Sequence, residues 1–378
     1  MCEVPFFRAQ VDREEENLIK DALFNSEIKY GEIFEEEICK YFGAKYAIAT
    51  TSGTTALHLA LCAMDIKRGD KILCSVNSFP NVAEVIRHFD AEPVFVDIDP
   101  VSFNITAESL ARTIELNRHK KLKCVFVSHI AGLSADLDAI YEIARRENIT
   151  VIDDASRATG ATYKGAKLGS LKGSLMSCFQ INPQFQDAIS TAGFFVTDNA
   201  EIANTARIIR SGGLVGGAFY KDGNVSFTYD VSCLGQKYDL NAINSAYAIA
   251  QLKKTDGFIE RRRQIAKIYF QELAGCPHVT LPSESEEHIY TQFIIKIDKN
   301  RDDFAKELIS RGVSVSLHYV PVHLLSYYKN KYNYKVNDFP NALKNYQQIL
   351  SLPIYTALGD DEVLYVCEKI KEIANNRV

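Results

Sequence analysis

This 378-residue chain predicts an α/β fold: a mostly parallel sheet with helices on both faces, followed by a smaller α+β unit. Three observations carry that expectation. Short apolar runs alternate with amphipathic stretches through the first 155 or so residues, the pattern of repeated strand–helix units. The apolar runs are near-continuous, as strands buried on both faces should be. The texture changes near Asp256, where a charged helical stretch opens a second unit. A large domain over residues 1–255 and a small one over 256–378 follow.

In order, residues 12–42 read as two helices broken near Ser26–Gly31. The second carries Phe34, Ile38, Tyr41 and Phe42 on one face with glutamates opposite, a helical spacing. Strands are expected at Tyr46–Thr50, Lys71–Ser75, Pro93–Asp97, Cys124–Ser128 and Thr150–Asp153. Between them lie helices at Ala56–Met64, Asn81–His88, Thr106–Leu116 and Leu137–Glu147. Gly212–Gly223 reads as a glycine-rich, mobile loop. The small unit is expected to hold helix Glu260–Leu273, strand Tyr290–Ile297, helix Arg301–Arg311, strand Ser314–Leu317 and a last helix from Asp360.

Composition narrows the function. Hydrophobic residues make up 47% and charged residues 24%, which supplies an ordinary core. The net charge is −5 with no basic block, so the footprint of a nucleic-acid binder is missing. No apolar run reaches the roughly 18 residues of a membrane span. The nine cysteines include no CxxC pair, so neither zinc nor a redox pair is signalled. With a start that lacks a basic and apolar leader, buried reduced thiols in a cytoplasmic protein are the expectation.

Chemistry should gather at the carboxyl ends of the strands, where open α/β sheets bind ligands. Ser52-Gly53-Thr54 lies between a strand and a helix. Backbone N–H groups at a helix start, with a hydroxyl, suit a phosphate; a plain helix cap uses the same residues. Asp153-Asp154 ends a strand and reads either as a site carboxylate or as a loop acid.

Order and spacing sharpen this. Gly31-Glu-Ile-Phe-Glu-Glu-Glu, Ser52-Gly53-Thr54, Ser78-Phe79, His129-Ile-Ala-Gly132 with Asp136-Leu-Asp138, and Val151-Ile-Asp-Asp154-Ala follow one another. Gly160-Ala-Thr-Tyr-Lys-Gly165, Arg207–Gly212, Gln251-Leu-Lys-Lys, Glu260-Arg-Arg-Arg263, His318-Tyr-Val-Pro321-Val-His323 and Ser351-Leu-Pro353 continue the series. The chain resembles the DegT/DnrJ/EryC1/StrS sugar aminotransferases over nearly its whole length. That likeness implies the pyridoxal-phosphate (PLP) fold-type-I, aspartate-aminotransferase design, with a mainly parallel seven-stranded sheet and a homodimer around the active site. It further implies that Gly53 and Thr54 hold the cofactor phosphate, that Phe79 stacks on the ring, and that Asp154 pairs with the ring nitrogen. His318, Tyr319 and His323 would lie near the sugar.

One motif departs. The family reads roughly Ser-Phe-His-Pro-x-Lys and then Thr-Thr-Gly-Glu-Gly-Gly. This chain reads Gln180-Ile-Asn-Pro183-Gln-Phe185, then Ala188-Ile-Ser-Thr-Ala-Gly193. Phe185 thus occupies the position of the Schiff-base lysine, and no lysine lies between Lys172 and Lys221. Phe has neither the nucleophile nor the proton that transamination needs. The related sugar 3-dehydratases carry histidine there, which still acts as a base. Gln180 replaces a phosphate-binding serine. Lys237 and Asp239 replace an asparagine and an arginine in the segment that reaches the neighbouring subunit's cofactor, and Arg157 replaces glutamine or histidine. Asp154 would then lose its pyridinium partner, and either Arg157 supplies a cation or Asp154 serves as a general base.

Three readings follow: a protein that binds a nucleotide-linked sugar without transaminating it; an enzyme holding PLP or pyridoxamine phosphate (PMP) without a covalent link, with Lys237 of the neighbouring subunit on the phosphate; or a non-catalytic partner of an active paralogue. No metal site, nucleic acid or membrane enters any of them.

Overall fold

Two helices lead the chain in. The computed structural model describes residues 3–118, 121–181, 191–216 and 229–377. Helix α1 (Arg13–Phe24) starts on a reciprocal cap: the Asp12 carboxylate accepts the Glu14 N–H, and the Glu15 carboxylate accepts that of Asp12. Helix α2 (Tyr30–Phe42) buries Tyr30, Phe34, Ile38 and Phe42, a strict i, i+4 stripe, and stops at Gly43 with φ +68°.

The strand–helix alternation then runs β1 (Tyr46–Thr50), α3 (Gly53–Ala63), β2 (Lys71–Ser75), α4 (Asn81–Arg87), β3 (Glu92–Val96), α5 (Ala107–Leu116), β4 (Leu122–Ser128), α6 (Leu137–Arg146) and β5 (Thr150–Asp154). A short hairpin, β6 (Thr162–Tyr163) and β7 (Ala166–Lys167), precedes β8 (Met176–Ile181), β9 (Ala192–Thr197) and α7 (Ala200–Arg210). Then come β10 (Leu214–Gly216), β11 (Tyr229–Val231) and the 31-residue α8 (Ala242–Glu272). After α8 come β12 (Val279–Thr280), β13 (Phe293–Ile297), α9 (Arg301–Ser310), α10 (Ser326–Tyr332), α11 (Pro340–Gln348), β14 (Ile349–Leu352) and α12 (Asp360–Asn375).

The central sheet has seven strands in the order β1-β9-β8-β5-β4-β2-β3. All pairs from β8 through β5, β4 and β2 to β3 are parallel; β9 runs antiparallel between β1 and β8. Its register brings Asp154 opposite Ser128 on one side and Cys178 on the other. Gly193 faces both Thr50 and Gln180. The carboxyl ends of β1, β2, β4, β5 and β8 therefore open on one edge.

One core lies around this sheet, with Phe42, Phe179 and Phe194 in mutual ring contact at 4.4–5.6 Å. Full burial of such rings contributes about 2–3 kcal/mol each. A second core gathers Tyr269, Phe293, Phe304, Leu352, Tyr355 and Ile370 with Val4 from the N-terminal segment.

The structure corrects three expectations. Helix α8 passes through residues 255 and 256 without a break, so the change in texture near Asp256 marks the emergence of one long helix from the first core. Ser314–Leu317 is not a strand: only Val313 and Ser316 make isolated bridges, to Val4 and Ser351. Within the glycine-rich segment, Leu214–Gly216 pairs with Tyr229–Val231 as an antiparallel ribbon, and residues 217–223 lie outside the described part.

Candidate active site

The open edge collects one side chain or turn from each strand end. Beyond β1, Ser52 caps α3: its Oγ accepts the Thr55 N–H at 3.2 Å, and the Thr55 hydroxyl accepts the Ser52 N–H at 2.9 Å. The cap is thus present in full, and it leaves the N–H groups of Gly53 and Thr54 without an acceptor among the described residues. Asn81, at the start of α4, donates to the Thr54 hydroxyl at 2.9 Å. Gly193 makes the close approach possible, since a Cβ there would stand 1.9 Å from the Ser52 carbonyl oxygen.

Asp154 closes β5 at the floor of a cleft lined also by Phe79, Ser156, Arg157, Gln180 and Tyr319. It accepts hydrogen bonds from the Ser128 hydroxyl at 2.9 Å and the Ser156 N–H at 3.3 Å. Phe79 stands at the mouth, 48% exposed, edge-on to the buried ring of Tyr319 at 6.1 Å. A large aromatic left half in solvent beside a carboxylate suits a planar ligand.

Residues 154–157 leave the strand in a turn rather than a helix. Arg157 donates through Nε to the Tyr319 hydroxyl at 3.0 Å, and Gln292 donates to the same oxygen at 3.3 Å. The Arg157 carbonyl receives the Thr291 hydroxyl at 2.7 Å. Burial pushes the Arg157 guanidinium below its ordinary range, opposed by Tyr319 and by the Asp154 carboxylate. A desolvated cation close to a carboxylate is therefore built into the cleft.

Behind Asp154 lies a sealed polar chain. The His129 Nδ1 accepts the Ala135 N–H at 3.2 Å, so its proton sits on Nε2, facing Asp153 at 3.5 Å. Asp153 accepts the Ser177 hydroxyl at 2.8 Å. These groups sit at the ends of β4, β5 and β8, and His129 also lines the cleft.

The remaining expected positions are scattered. His318 is buried beneath Tyr319, with Nδ1 at 2.8 Å from the Ser351 hydroxyl. His323 is fully buried, donates to the Val336 carbonyl at 3.1 Å and packs on Phe339; it does not line the cleft. Lys237 is on the surface, paired with Asp239 at 2.6 Å, and Asp239 in turn accepts the Ser211 hydroxyl at 2.7 Å. Phe185, with the rest of 182–190, lies outside the described residues. Ser128, Asn81, Ser156 and Gln292 were not singled out from sequence. Their one signal is a polar residue just past or just before an apolar strand, which is too common to select them.

The residues present fit a phosphorylated pyridine cofactor at one end only. Asp154 and Phe79 suit the ring. At the phosphate end, the Gln180 side chain lies against Gly53: a Cβ on that glycine would meet Gln180 Oε1 at 3.0 Å and Ser156 Oγ at 3.2 Å.

Sheet order, strand-end site and the two cores define a fold-type-I architecture. The DegT/DnrJ/EryC1/StrS aminotransferase family model matches residues 9–371, and the chain belongs to that family. It is 34% identical to the uncharacterized protein MJ1066 of Methanocaldococcus jannaschii, over 98% of each chain. It is 30% identical to the spore coat polysaccharide biosynthesis protein SpsC of Bacillus subtilis, over 98% of this chain and 97% of that one. Among solved structures, Helicobacter pylori PseC, an aminotransferase of pseudaminic acid biosynthesis, superposes over the whole of both chains with a TM-score of 0.89 at 22% identity. The PMP-form of the Streptococcus pneumoniae sugar aminotransferase Spr1654 gives 0.89 at 22% identity, over 98% of this chain and 99% of that one. Both likenesses concern the fold.

Proposed function

We propose that this protein binds a nucleotide-linked sugar in the cleft over Asp154 and does not transaminate it. The observation that carries the reading is a cleft that keeps its carboxylate and exposed aromatic, Asp154 and Phe79, in a chain with no lysine between Lys172 and Lys221. The Arg157 guanidinium, held by Tyr319, offers the cation next to Asp154. The family's sugar chemistry, named in SpsC and PseC, supports the choice of ligand class. A homodimer is part of the same proposal, with Lys237, on the surface and paired with Asp239, turned toward the second copy.

The test is thermal shift of the whole chain against UDP-, GDP- and TDP-linked sugars. A ligand that binds the native state must raise its stability, by about 2.7 kcal/mol at a hundredfold excess over Kd. Stabilisation by one nucleotide class is expected; none from any of them counts against the proposal. Retention of Asp154 and Phe79 favours a second reading, PLP or PMP held without a covalent bond. Absorbance between about 320 and 430 nm separates the two, because only the second retains a pyridine chromophore.

A further inference from the structure

The turn that begins α3 has free donors, and a side chain from β8 packs against its first glycine. Ser52 and the helix itself take the Thr55 and Ala56 N–H groups. Gly53 and Thr54 keep theirs, at the positive end of the helix dipole. Such a start attracts an anion. Here the space beside it is taken from within the chain. The Gln180 backbone is fixed on both sides, by the ladder to Gly193 and by the Thr159 hydroxyl donating to its carbonyl at 2.8 Å. Its side chain runs from there across Gly53, with Cβ 3.2 Å and Oε1 3.0 Å from where a Cβ on the glycine would sit. Ser156 Oγ, sealed from solvent and without a hydrogen-bond partner among the described residues, stands 3.2 Å from the same spot.

We propose that Gln180 is an internal plug: its neutral carboxamide occupies the anion-binding end of the cleft and excludes phosphate monoesters of a planar ring, while the ring end over Asp154 stays open. This rests on the reading of the cleft as a ligand site but not on which ligand it takes. A carboxamide packed at a helix start fills the room beside the N–H groups without bringing the charge of a phosphate. Its removal exposes the Gly53 and Thr54 donors and the orphan Ser156 hydroxyl together. Charge-assisted hydrogen bonds to that set are the strong kind.

The experiment compares PMP with pyridoxamine, which differ only by the phosphate, as ligands of the intact chain, read by calorimetry and by pyridine absorbance rather than by activity. The wild-type chain is expected to bind the two within a factor of about 3 of each other. Gln180→Ser and Gln180→Ala should each strengthen PMP binding by about tenfold or more, equivalent to roughly 1.4 kcal/mol, and leave pyridoxamine unchanged. Gln180→Glu, of the same length but anionic, should show no gain. Gln180→Ala guards against a local misfold specific to one variant, and far-ultraviolet dichroism with melting checks both. The proposal is overturned if the wild-type chain already prefers PMP tenfold, if neither shortened variant gains affinity, or if both ligands gain alike. A failure of nucleotide-sugar binding in the wild-type chain is read in a separate titration and does not alter this comparison.

Discussion

His318 links the cleft to acid stability. Burial drives its pKa from the ordinary 6.5 down to about 3, and the Arg157 charge adds to the shift. His288, stacked on Tyr290 at 3.9 Å, is pushed down to about 3 by burial and by Arg263. Both folded-state values are depressed, so the unfolded chain binds these protons more readily. The stability that the neutral rings confer is complete above pH 6.5 and is lost as pH falls from there toward 3. At pH 5 each ring should cost about 2 kcal/mol relative to neutral pH. Urea denaturation at pH 7.5 and 5.0 measures the sum over these two rings, His58, which burial pushes down to about 4, and His323, which burial also lowers, so His318→Gln should remove no more than about a third of the difference. A difference unchanged by that substitution would remove His318 from the account. Arg157→Gln, by deleting the repelling charge, should raise the His318 pKa in a nuclear magnetic resonance titration.

At the scale of elements, two glycines respond in opposite senses. Gly193 sits in β9 where a Cβ would strike the Ser52 carbonyl at 1.9 Å, and no side chain can yield because both sides are backbone. Gly193→Ala should therefore destabilise by about 2–3 kcal/mol and disturb the start of α3. Gly257 is exposed within α8 and has nothing within 4 Å of its would-be Cβ. Gly257→Ala should stabilise by about 0.5–1 kcal/mol; a loss would mean that the helix is not continuous there. The same helix shows where sequence reading stops. From β1 to β5, apolar runs announce each element, with side-chain caps added at α3 and α5, because the strands are buried on both faces and the helices have one apolar stripe. Helix α8 passes from one core into the next, and its buried face changes from Ala246, Ile249 and Leu252 to Ile259, Arg262 and Ile265. No single stripe persists, so the charged half stands out alone. Strands β8 and β9 flank the departing motif and have no alternation to announce them. In the site, Gly53, Phe79 and Asp154 were legible because a strand end precedes each or lies close by. The roles of Ser128 and Gln292 depend on which strands are neighbours, and β5 pairs with β8 across 20 or more residues of chain.

The surface of the whole molecule carries one more consequence. Tyr229 and Val231 of the β10–β11 ribbon are 73% and 58% exposed, Leu214 is 51% exposed, and Leu234 just beyond is 91% exposed. Leu214 and Val231 face each other across the ribbon, with Tyr229 two residues from Val231 and Leu234 just beyond, an exposure of large apolar side chains that monomeric surfaces avoid. The exit continues to Lys237, tied back to Ser211 by a backbone bridge and to Asp239 by an ion pair. A second copy of this chain is the proposed cover. Leu234→Lys places a charge in the middle of such a contact, where a buried unpaired ammonium costs several kcal/mol, yet in an isolated chain it should leave the fold unchanged because Leu234 touches solvent almost all round. Sedimentation of the wild-type chain at micromolar concentration should give twice the chain mass, and the variant should fall to one chain with its helical dichroism intact. A wild-type monomer would leave the apolar ribbon uncovered and remove the route by which Lys237 could reach a cleft. A dimeric Leu234→Lys variant would place the interface elsewhere, with the exposed Leu23 and Phe24 at the end of α1, 59% and 79% exposed, as the next surface to change.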